Sequence, residues 1–324
     1  MKIGKISESV LKRSVLRQIH TKREEIVSGA AIGEDCAIFA QSDAEMVSCM
    51  QEADLTSVTV KQLIYRCANN LAAAGAEPFA LMITLLLTED TEEASLKSWM
   101  AAADKAAAEL SMQIAGGQTR VTEALRRPCA VVTGYGKMPA DRKAVGKAEP
   151  GQDIVISKWI GLEGTTYLAK HNREKLLARY PAYLVEEAEG FDRFLSILPE
   201  AATAGKSSVC AMHDASEGGI FASLWELAEG AGVGLTIDLK KLPLRQETVE
   251  VCECLGVNPY ELRSGGCLIM TSRDGLGLVA ALQEKQIPAV VVGKVTDSKD
   301  RILLNEDEVR YMERPKQDEI YKMI

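Results

Sequence analysis

Five short stretches of this chain collect the residue types that bind anions, hold cations or move protons. The first is Gly33-Glu34-Asp35-Cys36-Ala37. A glycine followed by acids ahead of a strand can hold a hard cation near a phosphate, and it is equally an ordinary turn. The second is Glu52-Ala53-Asp54-Leu55-Thr56, where a strand runs into a helix. Asp54 there reads as a helix cap or as a metal ligand, because α/β proteins place ligands at strand C-termini. The third is Asn69-Asn70-Leu71-Ala72-Ala73-Ala74-Gly75. Two amides inside an apolar helix need partners if buried, and the small residues after them allow close backbone approach. An exposed Asn pair at an ordinary helix end is the competing reading.

The fourth stretch is Ala115-Gly116-Gly117-Gln118-Thr119-Arg120-Val121. Read as a diglycine directly after a strand, it presents backbone N–H groups to a phosphate, although a lone diglycine also makes a plain turn. The fifth is His213-Asp214-Ala215-Ser216-Glu217-Gly218-Gly219, after a strand over 208–212 and opening a helix. A helix N-terminus with ionisable groups and glycines suits an anion, and a structural His–Asp pair is the alternative. None of these is a Walker A loop, a dinucleotide fingerprint, a kinase motif or a nucleophile elbow. Gly230-Ala231-Gly232-Val233-Gly234 follows a helix rather than a strand, so it fails as a dinucleotide loop on context.

The elements that must position these residues follow from periodicity. Apolar spacing predicts helices over 7–20, 56–76 and 91–112, the last capped by Thr91. Strands are expected at 38–40 and 46–50 around a polar turn, then at 79–87 and 129–136. The polar stretch 137–152, with Pro139, Gly146, Pro150 and Gly151, reads as a linker. Beyond it, strands are expected at 153–157, 208–212, 267–271 and 289–295. Helices are expected at 163–170, 183–198, 217–229, 247–255 and 276–284. Strands and amphipathic helices on each side of a linker give an α+β chain of two domains, 1–138 and 149–324. The segment 314–319 is polar and is placed on the surface.

Composition bounds the function. The chain has 324 residues, a net charge of −8 and 47% hydrophobic residues, a normal globular mix. That acidity argues against tracking nucleic-acid phosphates, and the densest basic stretch, Arg126 to Lys147, is broken by acids and prolines. The eight cysteines form no Cys-x-x-Cys pair, so buried free thiols in a reducing cytosol are expected. There is no apolar leader after Met1, and the longest aliphatic run, 80–87, is too short to span a bilayer. A cytoplasmic location, with no membrane partner, is the expectation.

Taken together, in this order and spacing, the five stretches resemble the AIR synthase superfamily over nearly the whole chain. The similarity is strongest to its HypE-like branch, through Lys158-Trp159-Ile160-Gly161-Leu162-Glu163-Gly164-Thr165, His213 to Gly219, Arg245 to Thr248 and Asn258-Pro259-Tyr260. The resemblance implies an N-terminal mixed βα sheet that pairs with its twin in a homodimer, and a C-terminal α/β sandwich. It also implies ATP with Mg²⁺ near the dimer interface, and ATP-dependent activation of an amide-like or carbamoyl oxygen. On that pattern Asp35 and Asp54 are the metal ligands. Lys5, Gly33, Asn69, Asn70, Gly116, Gly117, Gln118, Thr119 and Arg120 line the nucleotide. His213, Asp214 and Glu217 handle an acceptor that the motif does not identify.

The chain departs from that pattern at defined positions. The family's Asn-Asp-Leu-Ala reads Asn69-Asn70-Leu71-Ala72, and its Gly-Gly-Asp/His-Thr reads Gly116-Gly117-Gln118-Thr119. Arg120 stands where HypE-like members often have an acid. Two neutral amides in place of charged ligands should weaken Mg²⁺ and ATP binding, with Arg120 as a compensating phosphate partner. No cysteine follows Cys267, so the self-modified terminal cysteine of HypE has no counterpart in this sequence. A non-catalytic nucleotide-binding or regulatory homologue is therefore the alternative to an enzyme.

Overall fold

The computed structural model describes residues 4–5, 8–30, 38–40, 45–138 and 146–323. It divides into two compact units, Met1–Ala72 with Ala76–Lys143, and Ala73–Gly75 with Ala144–Ile324.

The first unit is built on a five-stranded sheet. Its strands are β1 (Gly4–Lys5), β4 (Met46–Asp54), β5 (Glu77–Leu87), β6 (Gln113–Val121) and β7 (Cys129–Lys137), in the order β1-β6-β5-β7-β4. A separate ribbon pairs β2 (Ile26–Ser28) with β3 (Ile38–Phe39). β5 and β6 run parallel, and every other pairing in the sheet is antiparallel. The alternation on β5 and β7 is decisive for layering. Ile83, Leu85, Leu87, Ala130 and Val132 are buried, while Met82, Thr84, Leu86, Val131 and Thr133 between them are half-exposed. One face is thus covered and the other is partly open.

Among the described residues of this unit the α-helices are α1 (Glu8–Val10), α2 (Val60–Ala73) and α3 (Glu93–Glu109). The covered face lies against α2. A Cβ at Gly134 of β7 would stand 2.6 Å from Cys67 Sγ and 3.1 Å from Leu71 Cδ1. α2 starts at a capping box in which Thr59 N donates to Gln62 Oε1 at 2.9 Å and Gln62 N donates to Thr59 Oγ1 at 3.2 Å. The helix expected over 91–112 is not capped by Thr91. Its N-cap is Glu92, and Thr91 Oγ1 instead meets Thr88 Oγ1 at 2.9 Å. The helix expected over 7–20 breaks into α1, a π turn at Leu11–Val15 and a 3-10 turn at Leu16–Gln18. The strands expected around residues 41–45 do not pair with each other, since β3 joins β2 and β4 joins β7.

The second unit carries a seven-stranded sheet in the order β14-β13-β10-β12-β8-β11-β9. These are β8 (Asp153–Ser157), β9 (Val209–Ala215), β10 (Gly234–Asp238), β11 (Cys267–Ser272), β12 (Ala289–Thr296), β13 (Arg301–Asn305) and β14 (Glu308–Tyr311). Helices α4 (Leu162–His171), α5 (Arg173–Leu177), α6 (Ala182–Glu189), α7 (Leu198–Ala204), α8 (Gly219–Ala231), α9 (Gln246–Leu255) and α10 (Gly275–Glu284) complete it. Ile220, Leu224 and Ala228 of α8 pack with Ile154, Ile156, Ile237 and Ile269 of the sheet. A second cluster joins Leu168, Val185 and Val251 of α4, α6 and α9 to Ile320.

Ile320 belongs to a 3-10 turn at Glu319–Lys322, and of the segment 314–319 expected on the surface only residues 314–317 are exposed. Asp318, Glu319 and Ile320 are all buried. Polar composition hides one apolar side chain, and Asp318 and Glu319 find backbone donors that offset part of the cost of their burial.

Candidate functional site

β4 ends at Asp54, and the side chain of that residue closes the turn that follows. Its Oδ1 accepts from the backbone amides of Thr56 and Ser57, each at 3.0 Å, and its Oδ2 accepts from Ser57 Oγ at 2.6 Å. Asp54 therefore caps its own turn and not α2, which is capped by Thr59. Partial burial pushes its carboxyl up, but the donors of Ser57 and Thr56 outweigh this and hold it below its ordinary value. It is an ionised carboxylate at a strand C-terminus. Arg127 Nη1 lies next to it, 3.3 Å from Thr56 Oγ1.

Sheet register places Asp54 in a row with other candidates. Asp54 pairs with Cys129, Cys129 with Leu86, Leu86 with Arg120, and Arg120 with Lys5. The next row on the same open face runs Glu52, Val131, Thr84, Gln118. Acids thus sit at the β4 edge, and Gln118 and Arg120 sit on β6. Three strand spacings, or about 14 Å, separate Asp54 from Arg120. Within one chain they flank an open sheet face and do not form a compact cluster.

The diglycine lies inside β6 rather than after a strand, opposite Met82 and Ile83 of β5 and next to a register shift. Gly117 has φ +150°, and a Cβ there would stand 1.9 Å from the Ile83 carbonyl oxygen. Close strand approach explains that glycine without any ligand. Gly116 is different, since its Cβ would meet only the end of Met82 at 3.3 Å. Thr119 is buried on the covered face, while Gln118 and Arg120 are exposed on the other. Asn69 is buried in α2 and Asn70 is half-buried beside it. Gly33 and Asp35 lie outside the described residues, and Lys5 enters only through its main-chain pairing with Arg120.

In the second unit, the three proposed acceptor residues do not converge. β9 extends to Ala215, so His213 and Asp214 are consecutive strand residues pointing to opposite faces. His213 Nε2 lies 3.1 Å from Glu226 Oε2 of α8, whereas Asp214 is buried. Glu217 is exposed, accepts from Tyr321 Oη at 2.9 Å and lies 3.6 Å from Arg263 Nη2. Sequence reasoning missed Arg263, Asp318 and Tyr321. Asp318 Oδ2 accepts from the amide of Gly218, the N-cap of α8, at 2.6 Å, and its Oδ1 accepts from Ile320 N at 2.9 Å. The helix N-terminus read as an anion site therefore holds a carboxylate of the chain itself. The signal for it was available as Asp318 two residues before an apolar residue, a capping pattern.

Among the described residues, no group of three or more His, Cys, Asp or Glu could hold a metal ion. The donor set at Asp54 fits Mg²⁺ delivered with a nucleotide, which takes one or two carboxylates and completes its shell with phosphate oxygens and water. No described helix is long and apolar enough to cross a membrane.

Comparison with known proteins agrees over both units. Residues 25–138 match the family described as AIR synthase related protein, N-terminal domain, and residues 149–304 match its C-terminal domain. Carbamoyl dehydratase HypE of Rhodobacter capsulatus is 32% identical over 235 residues, which span 70% of this chain and 66% of that protein, just under two thirds of its length. The crystal structure of Escherichia coli HypE superimposes with a TM-score of 0.81 at 20% identity, covering 97% of this chain and 98% of that one. A hydrogenase maturation protein HypE solved in complex with ATP gives 0.77 at 20% identity, covering 96% and 95%. At such identities these structures establish the fold. The chain belongs to the AIR synthase related protein family, in its HypE-like branch.

Proposed function

We propose that this chain binds ATP with Mg²⁺ through the open face of its first unit and uses it to activate an amide-like or carbamoyl oxygen. The observation that carries this reading is the row joining Asp54 to Arg120, an ionised carboxylate at one end and a guanidinium at the other. Asp54 would hold the metal with phosphate oxygens, and Arg120 would meet the phosphates in bidentate fashion. ATP supplies the phosphoryl group that turns an oxygen into a leaving group. The relatives named carbamoyl dehydratase, and the HypE solved with ATP, support the nucleotide and the acceptor class.

About 14 Å is too far for one metal-bound phosphate group to touch both Asp54 and Arg120 of the same chain. A second copy related by a two-fold axis would bring the β4 edge of one sheet toward the β6 side of the other, completing the site from both chains. The open face has the composition for such pairing, with Met50 at 62% and Met46 at 53% exposure. A second reading, a nucleotide-binding homologue without phosphoryl transfer, is favoured by the neutral Asn70 and Gln118. Asp35 and Gly33 enter this proposal only through their sequence positions, and Lys5 only through its main-chain pairing with Arg120.

Calorimetry with ATP and Mg²⁺, followed by an ADP-release assay and sedimentation, separates these readings. Binding with turnover supports the enzyme, and binding without turnover in the presence of carbamoyl and amide acceptors supports the regulatory homologue. No binding at millimolar nucleotide removes both.

A further inference from the structure

Two thiols meet where β4 passes α2. Cys49 and Cys67 are 18 residues apart in sequence, and their sulfurs lie 3.3 Å apart. Cys49 Sγ also donates to the Cys67 carbonyl at 3.2 Å, and Cys67 Sγ lies 3.8 Å from the Val132 carbonyl. Space for the pair comes from Gly134, which is in register with Cys49. A Cβ there would stand 2.6 Å from Cys67 Sγ and 3.7 Å from Cys49 Sγ. Cys67 is fully buried, whereas Cys49, on the edge strand, is half-exposed.

A disulfide bond is near 2.05 Å long, so closure needs the sulfurs to approach by roughly 1.2 Å, within reach of side-chain torsions. We propose that Cys49 and Cys67 form a reversible dithiol–disulfide pair, oxidised by hydroperoxides, that staples β4 to α2 across the turn carrying Asp54. The staple encloses Asp54, Thr56, Ser57 and Gln62 in one loop. The inference stands independently of the nucleotide reading, because it rests on the two sulfurs alone.

The chemistry has a direction. A hydrogen bond from the Cys67 thiol holds Cys49 below the usual thiol range, while that bond and burial push Cys67 up. Cys49, the half-exposed member of the pair, is the sulfur that a hydroperoxide reaches, and it attacks as the thiolate. Its sulfur takes the terminal oxygen of the hydroperoxide, the O–O bond breaks, and the leaving alkoxide or hydroxide picks up a proton. Cys49 becomes a sulfenic acid. The Cys67 sulfur then displaces hydroxide from that sulfur, and its own proton leaves with the hydroxide as water. Two thiols are oxidised to a disulfide, and the peroxide is reduced to water, or to water and an alcohol. A dithiol reductant reverses the change.

The test uses the full chain, reduced and then exposed to stoichiometric hydrogen peroxide, with free thiols blocked before digestion and mass spectrometry. The expected product is a cross-linked 49–67 peptide that has lost two hydrogens, that dithiothreitol removes, and that is accompanied by a higher Tm. Cys49 should react about tenfold or more faster than Cys129, whose thiol is raised by burial. Cys67→Ala should leave a sulfenic acid at Cys49 that dimedone traps. Cys49→Ser should leave Cys67 unmodified. Loss of other thiols with Cys49 and Cys67 still reduced, or over-oxidation of Cys49 without a cross-link in the unmutated chain, overturns the proposal.

Discussion

The carboxylate of Asp318 accepts the backbone N–H of Gly218 at 2.6 Å, joining a turn near residue 320 to the start of α8. Desolvation pushes this carboxyl above the usual carboxylate range, and the amides of Ile320 and Gly218 act against that. Asp318→Ala should lower stability by about 1–2 kcal/mol, the range for a lost cap that leaves buried amides unpaired. Hydrogen exchange at Gly218 and Ile320 should accelerate together. Unchanged protection at both amides would mean that the turn is held by Ile320 alone.

Asp54 and Arg120 give a paired expectation for the nucleotide. Arg120→Ala and Asp54→Asn should each weaken Mg-ATP binding about tenfold or more, which is about 1.4 kcal/mol. Thermal stability should change little for Arg120→Ala, since its side chain is exposed. Titration calorimetry reads the difference, and binding untouched by Arg120→Ala would sink its role as a phosphate partner.

Glu25 sets an acid-dependent contribution to stability. Its carboxylate bonds Arg23 Nη2 at 2.7 Å and Lys137 Nζ at 2.8 Å, tying the segment before β2 to β7. The Arg23 hydrogen bond, aided by Lys137 against the cost of burial, lowers its pKa to about 2. A depressed folded value makes the contribution full above the ordinary value of 4.5 and lost as pH falls toward about 2. The stability gap between the unmutated chain and Glu25→Gln should be about 1–2 kcal/mol at pH 6 and should narrow below pH 4. A gap that is constant across that range in denaturant titrations would refute the assignment.

The two adjacent glycines of β6 should respond differently to one methyl group. Gly117→Ala forces a Cβ to 1.9 Å from the Ile83 carbonyl and should destabilise the first unit by about 3 kcal/mol or more. Gly116→Ala meets only the flexible end of Met82 and should fold normally. Circular dichroism melts of the two variants decide this, and equal melting temperatures would contradict the strand geometry.

Much of the architecture was legible because it rests on local patterns. The amphipathic spacing of Leu63, Ile64, Cys67 and Leu71 marked α2. β6 was read as a strand ending ahead of the diglycine, because Gly116, Gly117 and Gln118 interrupt its alternation where it pairs with β5. β14 was missed for a related reason, since all four of its residues are exposed and it has no buried face to impose a period. The five motifs were visible, but their mutual positions were not. Which residues share a row depends on the order β6-β5-β7-β4, a long-range outcome that no local spacing encodes. His213 and Asp214 were grouped because they are neighbours in sequence, yet on a strand neighbours diverge.

Gly117 has a consequence for how relatives of this chain are judged. The position is closed to every side chain by the carbonyl of Ile83, whatever the protein does with nucleotides. A descendant that had abandoned catalysis would still keep this glycine as long as it kept the sheet. Its presence therefore reports inheritance of β5–β6 packing and carries no vote on activity. Gly116, Gln118 and Arg120, free of that steric veto, are where selection for a ligand would leave its mark.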